Sequence, residues 1–237
     1  MVFFFPLAFT ACAPHSYWCN IAYGITSSGG TVGFFIVLVV TSLFYASSAQ
    51  SKKEKGLVFL KSFLSLLIFF GALAFINERY TKPILKSQRP SHVYMLNQTG
   101  LSYTIDSLYL LDKNARKEFF QTLVNTHPLE FKQIDPEITA HWIDEAGFSF
   151  PSGHTFNAFL FSMILAYAIL YNRSYPKLRI LFFIPFIWAL LIGVSRVAIG
   201  AHSATDVSGG ALFGIIIGWL FLYIEKTRHW LTRKTKL

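Results

Sequence analysis

Residues 57–76 read LVFLKSFLSLLIFFGALAFI, a stretch of twenty residues in which Lys61 is the single charged side chain. An α-helix needs about 20 mostly apolar residues to cross the hydrocarbon core of a bilayer. This stretch therefore predicts a transmembrane helix. Similar stretches recur, and the predicted spans are residues 2–18, 31–49, 57–76, 155–171, 178–199 and 206–224. The sequence thus predicts an all-α, polytopic membrane protein of about six transmembrane helices.

The composition supports a membrane protein. The chain is 53% hydrophobic and 14% charged, whereas a soluble domain carries about 25% charged residues. No Asp, Glu, Lys or Arg precedes Lys52. The net charge of +9 would also fit a nucleic-acid partner, but the positive excess lies in short segments beside apolar runs. We therefore predict the lipid bilayer as a partner and no nucleic acid.

Three basic groups predict the orientation in the membrane. They lie between spans two and three, between spans four and five, and in the tail: Lys52, Lys53 and Lys55; Arg173, Lys177 and Arg179; Arg228, Arg233, Lys234 and Lys236. All three groups fall on one side of a six-span chain, and the positive-inside rule makes that side cytoplasmic. Residues 77–152 and the turn around 200–206 are then predicted on the outer face.

The predicted organisation is one membrane domain, residues 1–237, with residues 77–152 as an outer-face insert that is partly helical. Within the insert, Asp112–Val124 has the pattern of a short amphipathic helix. Its two predicted faces carry Phe119, Phe120 and Leu123 on one side and Arg116 and Lys117 on the other. This helix could lie on the bilayer, cap a site, or belong to a packed outer subdomain, and the sequence leaves these alternatives open.

Glycines recur every four residues in the last span, at Gly210, Gly214 and Gly218. Such a stripe lets another helix approach closely. We expect the stripe to pack inside the protein rather than to form a dimer interface. The oligomeric state stays open.

Several polar side chains stand at the outer ends of the predicted spans, where charge is costly and needs a reason. Distant parts of the sequence supply them: Lys82, Arg89, Ser152, His154, Arg196, His202 and Asp206. Lysine and arginine donors can neutralise and orient a phosphoryl group, and Arg offers paired donors to its oxygens. Gly153, at the predicted start of a span, leaves backbone N–H groups free to approach an anion.

The two histidines and the aspartate in this set can perform phosphoryl transfer. His202 can attack phosphorus if a carboxylate holds its other ring nitrogen, and Asp206 lies four residues further on. His154 can protonate the leaving alkoxide and later activate water. Each residue alone has an ordinary explanation; Ser152, for example, fits an N-cap of span four. Their convergence on one membrane face is what favours phosphate chemistry.

Three motifs carry a resemblance to a known family. The segment Lys82-Pro-Ile-Leu-Lys-Ser-Gln-Arg89-Pro90 resembles KxxxxxxRP, residues 151–154 resemble PSGH, and residues 195–206 resemble SRxxxxxHxxxD. These are the three signature elements of the type 2 phosphatidic acid phosphatase superfamily. The resemblance implies that His202 is the nucleophile, that Asp206 orients it and that His154 is the general acid. It implies phosphate binding by Lys82, Arg89, Ser152, Gly153 and Arg196, with no metal and no cofactor.

Residues 141–150 further resemble the phosphatidylglycerophosphatase B group of bacterial enzymes. This implies a multi-pass protein of the bacterial inner membrane whose active site faces the periplasm. It implies hydrolysis of phosphatidylglycerophosphate, undecaprenyl diphosphate or a similar lipid phosphate through a phosphohistidine. Transfer of the phosphoryl group to another lipid, or non-catalytic lipid-phosphate binding or transport, are the alternatives. We expect Glu145 to be a helix-surface carboxylate, with headgroup recognition as the alternative.

Overall fold

A computed structural model describes residues 12–170, 172 and 176–228, and within these residues every regular element is a helix. The α-helices are α1 Tyr17–Ser28, α2 Thr31–Ser47, α3 Lys52–Ile76, α4 Lys82–Leu85, α5 Pro90–Gln98, α6 Ile105–Leu108, α7 Lys113–Thr126, α8 Pro128–Phe131, α9 Pro136–Asp144, α10 Gly153–Leu170, α11 Ile184–Ala198 and α12 Ala204–Arg228. A π-helical turn, Asn77–Thr81, joins α3 to α4, and 3₁₀ helices lie at Ser102–Thr104 and Pro176–Phe183. The predicted all-α class is confirmed.

Among the described residues, four continuous helices are long and apolar enough to cross a membrane: Lys52–Leu85, Gly153–Leu170, Pro176–Ala198 and Ala204–Lys226. They correspond to the last four predicted spans. The pair α1 and α2 is bent by 52° and could supply a fifth crossing. Most of the predicted first span, residues 2–11, lies outside the described residues, and residues 12–16 are not helical. The count of six spans therefore stays a prediction.

Helix α10 forms the centre of the bundle and packs most extensively against α12 and α11. The glycine stripe of α12 makes this close approach possible. A Cβ atom at Gly210 would lie 2.6 Å from the carbonyl oxygen of Ser152, and one at Gly214 would lie 2.6 Å from that of Phe156. The stripe packs inside the protein, as the sequence predicted.

The start of α3 lies at the end of the bundle where α2 and α10 end. Ser51 and Glu54 form a capping box, in which the Ser51 side chain accepts from the Glu54 N–H. The end of α2 lies beside the end of α10, because Asn172 Nδ2 donates to Ser47 Oγ at 2.6 Å. Helix α3 therefore begins, with its lysines, at one end of the bundle and reaches Lys82 at the other.

Residues 77–152, predicted on the outer face and called the outer subdomain below, pack around an apolar core that includes Met95, Leu96, Phe120, Leu123, Ile138 and Trp142. Helix α7 is present where the sequence predicted it, capped by Asp112. The predicted placement of Arg116 on the polar face is wrong. Its guanidinium is buried between the rings of Tyr109 and Phe148, 4.7 Å from each centroid, and Nε donates to the Ala146 carbonyl at 2.9 Å. The side chain of Arg116 is therefore held in the interior by its contacts with Ala146 and Phe148.

Candidate active site

His202 lies in the short turn between α11 and α12. The turn is possible because Gly200 adopts φ +71°, a region that glycine tolerates. The N–H of His202 donates to the Arg196 carbonyl at 3.2 Å, and Trp142 of the outer subdomain donates through Nε1 to the Ile199 carbonyl at 2.7 Å. Both helices and the outer subdomain thus fix His202, which is 1% exposed.

A serine bridges His202 and Asp206. The distance from His202 Nδ1 to Asp206 Oδ2 is 3.6 Å, longer than a hydrogen bond. Ser149 Oγ donates to Asp206 Oδ2 at 2.5 Å and lies 3.2 Å from His202 Nδ1. Because the hydroxyl hydrogen points to the carboxylate, His202 Nδ1 is the donor to Ser149 Oγ. The lone pair of the imidazole is then on Nε2, the nitrogen that lines the cavity.

The orientation of Asp206 is fixed at the first turn of α12. Its carboxylate accepts from the Ser203 N–H at 2.7 Å, while its own N–H donates to Ser203 Oγ at 3.1 Å. Its carbonyl accepts from the Ser152 N–H at 3.0 Å. The same contact ties the start of α10 to the start of α12.

Arg89 approaches the reactive nitrogen of His202. Its Nη1 lies 3.3 Å from His202 Nε2 and donates to the Ala201 carbonyl at 3.0 Å, while Nε donates to the Gly147 carbonyl at 2.8 Å. The backbone N–H of Arg89 donates to the hydroxyl of Tyr109 at 2.7 Å. The guanidinium is therefore held by the outer subdomain and by the His202 turn.

Arg196 is fully buried in α11. Its Nη1 lies 2.9 Å from His141 Nε2, and its Nη2 donates to Glu145. Nε has no hydrogen-bond acceptor among the described residues. Arg196 thus contacts the cavity through Glu145 rather than lining it directly.

Glu145 lies between the two arginines. Its Oε2 accepts from Arg89 Nη1 at 2.7 Å as well as from Arg196, and its Oε1 lies 4.0 Å from His154 Nδ1. The expectation of a helix-surface carboxylate is wrong, because α9 ends at Asp144 and the chain turns inward at the next residue. The side chain is 18% exposed and lines the cavity.

Of the other predicted residues, Lys82, Gly153 and His154 line the cavity, whereas Ser152 does not. Lys82 is buried, lines the cavity and pairs with Glu78. Gly153 and His154 also line the cavity, and the side chain of His154 is 26% exposed. The Ser152 hydroxyl lies 3.0 Å from that of Thr155. Since its N–H donates to Asp206, Ser152 helps to fix the start of α10 in this conformation.

Burial, together with the charge of Arg89, lowers the pKa of His202 well below its ordinary value. The imidazole is therefore neutral near pH 7. A neutral ring with its lone pair on Nε2 is the form that can act as a nucleophile.

The structure thus brings the predicted cluster together at one end of the helical bundle. Five of its residues line a cavity of about 520 Å³: Lys82, Arg89, Gly153, His154 and His202. Sequence reasoning missed Ser149, and it left His141 without a role. Both lie in residues 141–150, the stretch that carries the second resemblance. Its density of polar residues directly before the PSGH element was the available signal. Within the described residues, no three His, Cys, Asp or Glu side chains are grouped to hold a metal ion.

The bridging position of Ser149 leads to a testable prediction. Ser149→Ala removes the acceptor of the His202 Nδ1 proton, and we expect kcat/KM to fall about 10- to 100-fold, as is usual for groups that orient a catalytic histidine. Ser149→Thr keeps the hydroxyl and should recover part of this loss. Phosphate-release kinetics measure both variants.

The matched control is Ser162→Ala, since Ser162 is also buried but bonds to Ala158 and Pro185 within the helical core. It should retain wild-type kcat/KM. Wild-type kinetics of Ser149→Ala at an unchanged melting temperature would contradict the bridging role.

Comparison with known proteins identifies the relatives of this chain. The family model of the PAP2 superfamily matches residues 76–230. A Haemophilus influenzae protein named phosphatidylglycerophosphatase B is 28% identical over 218 residues, which cover 89% of this chain and 82% of the relative. A Bacillus subtilis protein of the same name is 35% identical over 91 residues, 38% of this chain and 44% of the relative.

A solved structure shares the fold. The crystal structure of a transmembrane PAP2 type phosphatidylglycerolphosphate phosphatase from Bacillus subtilis superposes with a TM-score of 0.56 at 19% sequence identity. The match covers 93% of this chain and 84% of the other.

Proposed function

Because the chain belongs to the PAP2 superfamily, we propose that it hydrolyses the phosphate of a membrane lipid through a phosphohistidine at His202. The observation that carries this proposal is the convergence of Arg89 and two imidazoles, His202 and His154, on a cavity that also has apolar walls, with Arg196 bonded to the Glu145 that lines it. Such a site combines phosphate binding with a nucleophile and an acid. The relatives named phosphatidylglycerophosphatase B make phosphatidylglycerophosphate the first substrate to test.

The phosphate group binds to Arg89 and Arg196, with Lys82 contributing a third positive charge. Charge-assisted hydrogen bonds from guanidinium groups suit phosphate oxygens. Gly153 begins α10, so the N-terminal end of this helix also favours a negative group. These groups neutralise the phosphate without a metal ion, and activity is therefore expected to survive EDTA.

In the first step, the lone pair of His202 Nε2 attacks phosphorus and forms a P–N bond. The P–O bond to the lipid breaks, and its electron pair goes to the leaving alkoxide. His154, which is protonated when the dianionic phosphate is bound beside it, donates the proton that this oxygen needs. The imidazole of His202 becomes cationic. Its Nδ1–H is then stabilised by Asp206 through Ser149.

In the second step, water attacks the phosphohistidine. His154, now neutral, accepts a proton from the water as the new P–O bond forms. The P–N bond breaks and its electron pair returns to Nε2. Inorganic phosphate leaves, and both histidines are restored to their starting protonation states.

The apolar walls of the cavity support a lipid as the substrate. Its lining includes Phe34 and Phe35 of α2 and Leu67 and Phe70 of α3. These side chains offer a surface for acyl or isoprenoid chains, and burying such chains is favourable. A small water-soluble phosphate ester would leave this surface unused. We therefore expect lipid phosphates to be hydrolysed in preference to soluble ones.

The site is proposed to face the periplasm of a bacterial inner membrane. The lysines at the start of α3 lie at the end of the bundle opposite to Lys82, and the positive-inside rule would make their end cytoplasmic. Lys132→Cys in the outer subdomain, made in a Cys12→Ala/Cys19→Ala background, should react with an impermeant maleimide in spheroplasts. Lys55→Cys should react only after lysis, and the reverse pattern would refute the orientation.

The function is tested by a phosphate-release screen in mixed micelles. Phosphatidylglycerophosphate, phosphatidate and undecaprenyl diphosphate are each incubated with wild-type protein and, as the blank, with His202→Ala. We expect EDTA-resistant release from at least one lipid. Wild-type protein that releases phosphate from none of them would sink the proposal.

The same screen separates the alternatives. Phosphoryl transfer predicts that an added lipid alcohol becomes phosphorylated while less inorganic phosphate appears. A binding or transport protein predicts lipid binding by wild type and by His202→Ala, with no turnover in either.

A further inference from the structure

The centre of the cationic cluster is occupied by a carboxylate that belongs to the protein. Glu145 Oε2 accepts from Arg89 and from Arg196, the two groups assigned above to the substrate phosphate. His141 Nε2 lies 3.5 Å from Oε1, and His154 Nδ1 lies 4.0 Å from it. Two arginines and two imidazoles thus surround one anionic group at the end of the cavity.

Glu145 is charged in this position. Burial by itself raises the pKa of the carboxyl group, but the positive charges of Arg196 and Arg89 more than offset it and hold the pKa well below its ordinary value. Near pH 7 the site therefore contains a resident monoanion. A phosphate can bind both guanidiniums only if the carboxylate of Glu145 moves away from them.

The cluster also has more donors than Glu145 can use. Nε of Arg196 is buried and lacks an acceptor among the described residues. A carboxylate has two oxygens, whereas a phosphomonoester has three terminal oxygens that can accept from both arginines at once. Arg196 Nε is therefore a donor that the carboxylate leaves unpaired among the described residues.

Charge decides which ligands can displace Glu145. A phosphomonoester carries close to two negative charges at pH 7, because its second pKa is about 6. A phosphodiester carries one. Exchange of Glu145 for a phosphodiester gains no charge at the arginines, whereas exchange for a phosphomonoester gains nearly one.

We infer that Glu145 is a specificity-determining residue: every lipid phosphate must displace it from the two arginines, so a dianionic phosphomonoester still binds, whereas a monoanionic phosphodiester binds too weakly to occupy the site. The inference rests on the proposed function and deepens it. A site that opens to the bilayer meets a large excess of ordinary phosphodiester phospholipids. Competition from Glu145 keeps these lipids from occupying the arginines, at the cost of weaker binding of every anion.

A different role for Glu145 has the opposite consequence. If the carboxylate only held Arg89 and Arg196 in position, its removal would misplace both guanidiniums. All anions would then bind more weakly, whatever their charge. The two roles are therefore separable by the sign of the change in affinity.

The test is Glu145→Gln, which removes the charge and keeps the size. Two competitive inhibitors of the lipid phosphatase reaction are compared at pH 7 in mixed micelles: phosphatidylglycerol, a phosphodiester, and a difluoromethylenephosphonate analogue of phosphatidate, a non-hydrolysable dianion. We expect both inhibition constants to fall about tenfold or more and by similar factors, because the same competitor is removed for both ligands. Phosphatidylglycerol should therefore become an effective inhibitor of Glu145→Gln, whereas it inhibits the wild type weakly.

Asp144→Asn is the matched control. Asp144 precedes Glu145, also lines the cavity and carries the same charge, but it pairs with Lys117 at 2.7 Å rather than with the arginines. Both inhibition constants should stay within about twofold of wild type, because an exposed ion pair contributes little. Equal changes in Asp144→Asn and Glu145→Gln would refute the specific role of Glu145.

Wild-type protein supplies a test that does not depend on a folded variant. Its inhibition constant for phosphatidylglycerol should exceed that for the phosphonate by about 100-fold. Similar constants for the two inhibitors would overturn the inference, as would weaker binding of both to Glu145→Gln. In either case turnover by the wild type would leave the proposed function intact, whereas absence of wild-type turnover would refute the function itself.

Discussion

Replacement of His202 by alanine is expected to reduce phosphate release from the preferred lipid by about 10⁴-fold or more. The side chain supplies the atom that is proposed to bond to phosphorus. His154 lines the same cavity, but it lacks the Ser149–Asp206 partners that orient the imidazole of His202. The measurement is kcat/KM from initial rates of phosphate release.

His127→Ala is the matched control for this experiment. His127 lies at the end of α7, where its ring contacts Thr126 and the Leu123 carbonyl, far along the chain from the motifs. It should retain wild-type activity. A loss of only about tenfold in His202→Ala, with its melting temperature unchanged, would show that another group is the nucleophile.

Replacement of His154 by asparagine is expected to lower lipid hydrolysis by about 10²- to 10⁴-fold, the range of general acid catalysis. The effect should depend on the leaving group. An alkoxide needs a proton as the P–O bond breaks, whereas p-nitrophenolate is stable without one. Hydrolysis of p-nitrophenyl phosphate by His154→Asn should therefore fall much less than hydrolysis of the lipid.

The comparison of the two substrates tests the role directly. Asn157 lies one turn further along α10 and also lines the cavity, so Asn157→Ala controls for a change in cavity shape. Its effect should be similar for both substrates. Equal losses on the lipid and on the aryl phosphate in His154→Asn would rule out proton donation to the leaving group.

The helices that carry the site were largely predictable from the sequence. Continuous apolar stretches fix where α3, α10 and α12 run, because a membrane span needs a definite length of apolar residues. Glycine every four residues in α12 likewise predicted its close packing, which Gly210 and Gly214 make against α10. The apolar stretches and the spacing of the glycines involve residues close together in the chain, so both patterns can be recognised in a single sequence.

The position of Glu145 between Arg89 and Arg196 was not predictable from the sequence. Glu145 follows an amphipathic helix and has the local pattern of a surface carboxylate. Its burial depends on Arg89 and Arg196, which are 56 and 51 residues away. Arg116 was assigned to the wrong face for the same reason, since its acceptor is the Ala146 carbonyl. Tertiary contacts outweighed helical periodicity at both positions.

Trapping the phosphoenzyme tests directly whether His202 forms a bond to phosphorus. Wild-type protein is mixed with a lipid labelled in its terminal phosphate, quenched in alkali and digested, because phosphohistidine is stable in alkali and labile in acid. We expect label on the peptide that contains His202, and loss of this label on brief acid treatment. Turnover of the lipid with no label on this peptide, or with an acid-stable label on another residue, would show that His202 is not the nucleophile.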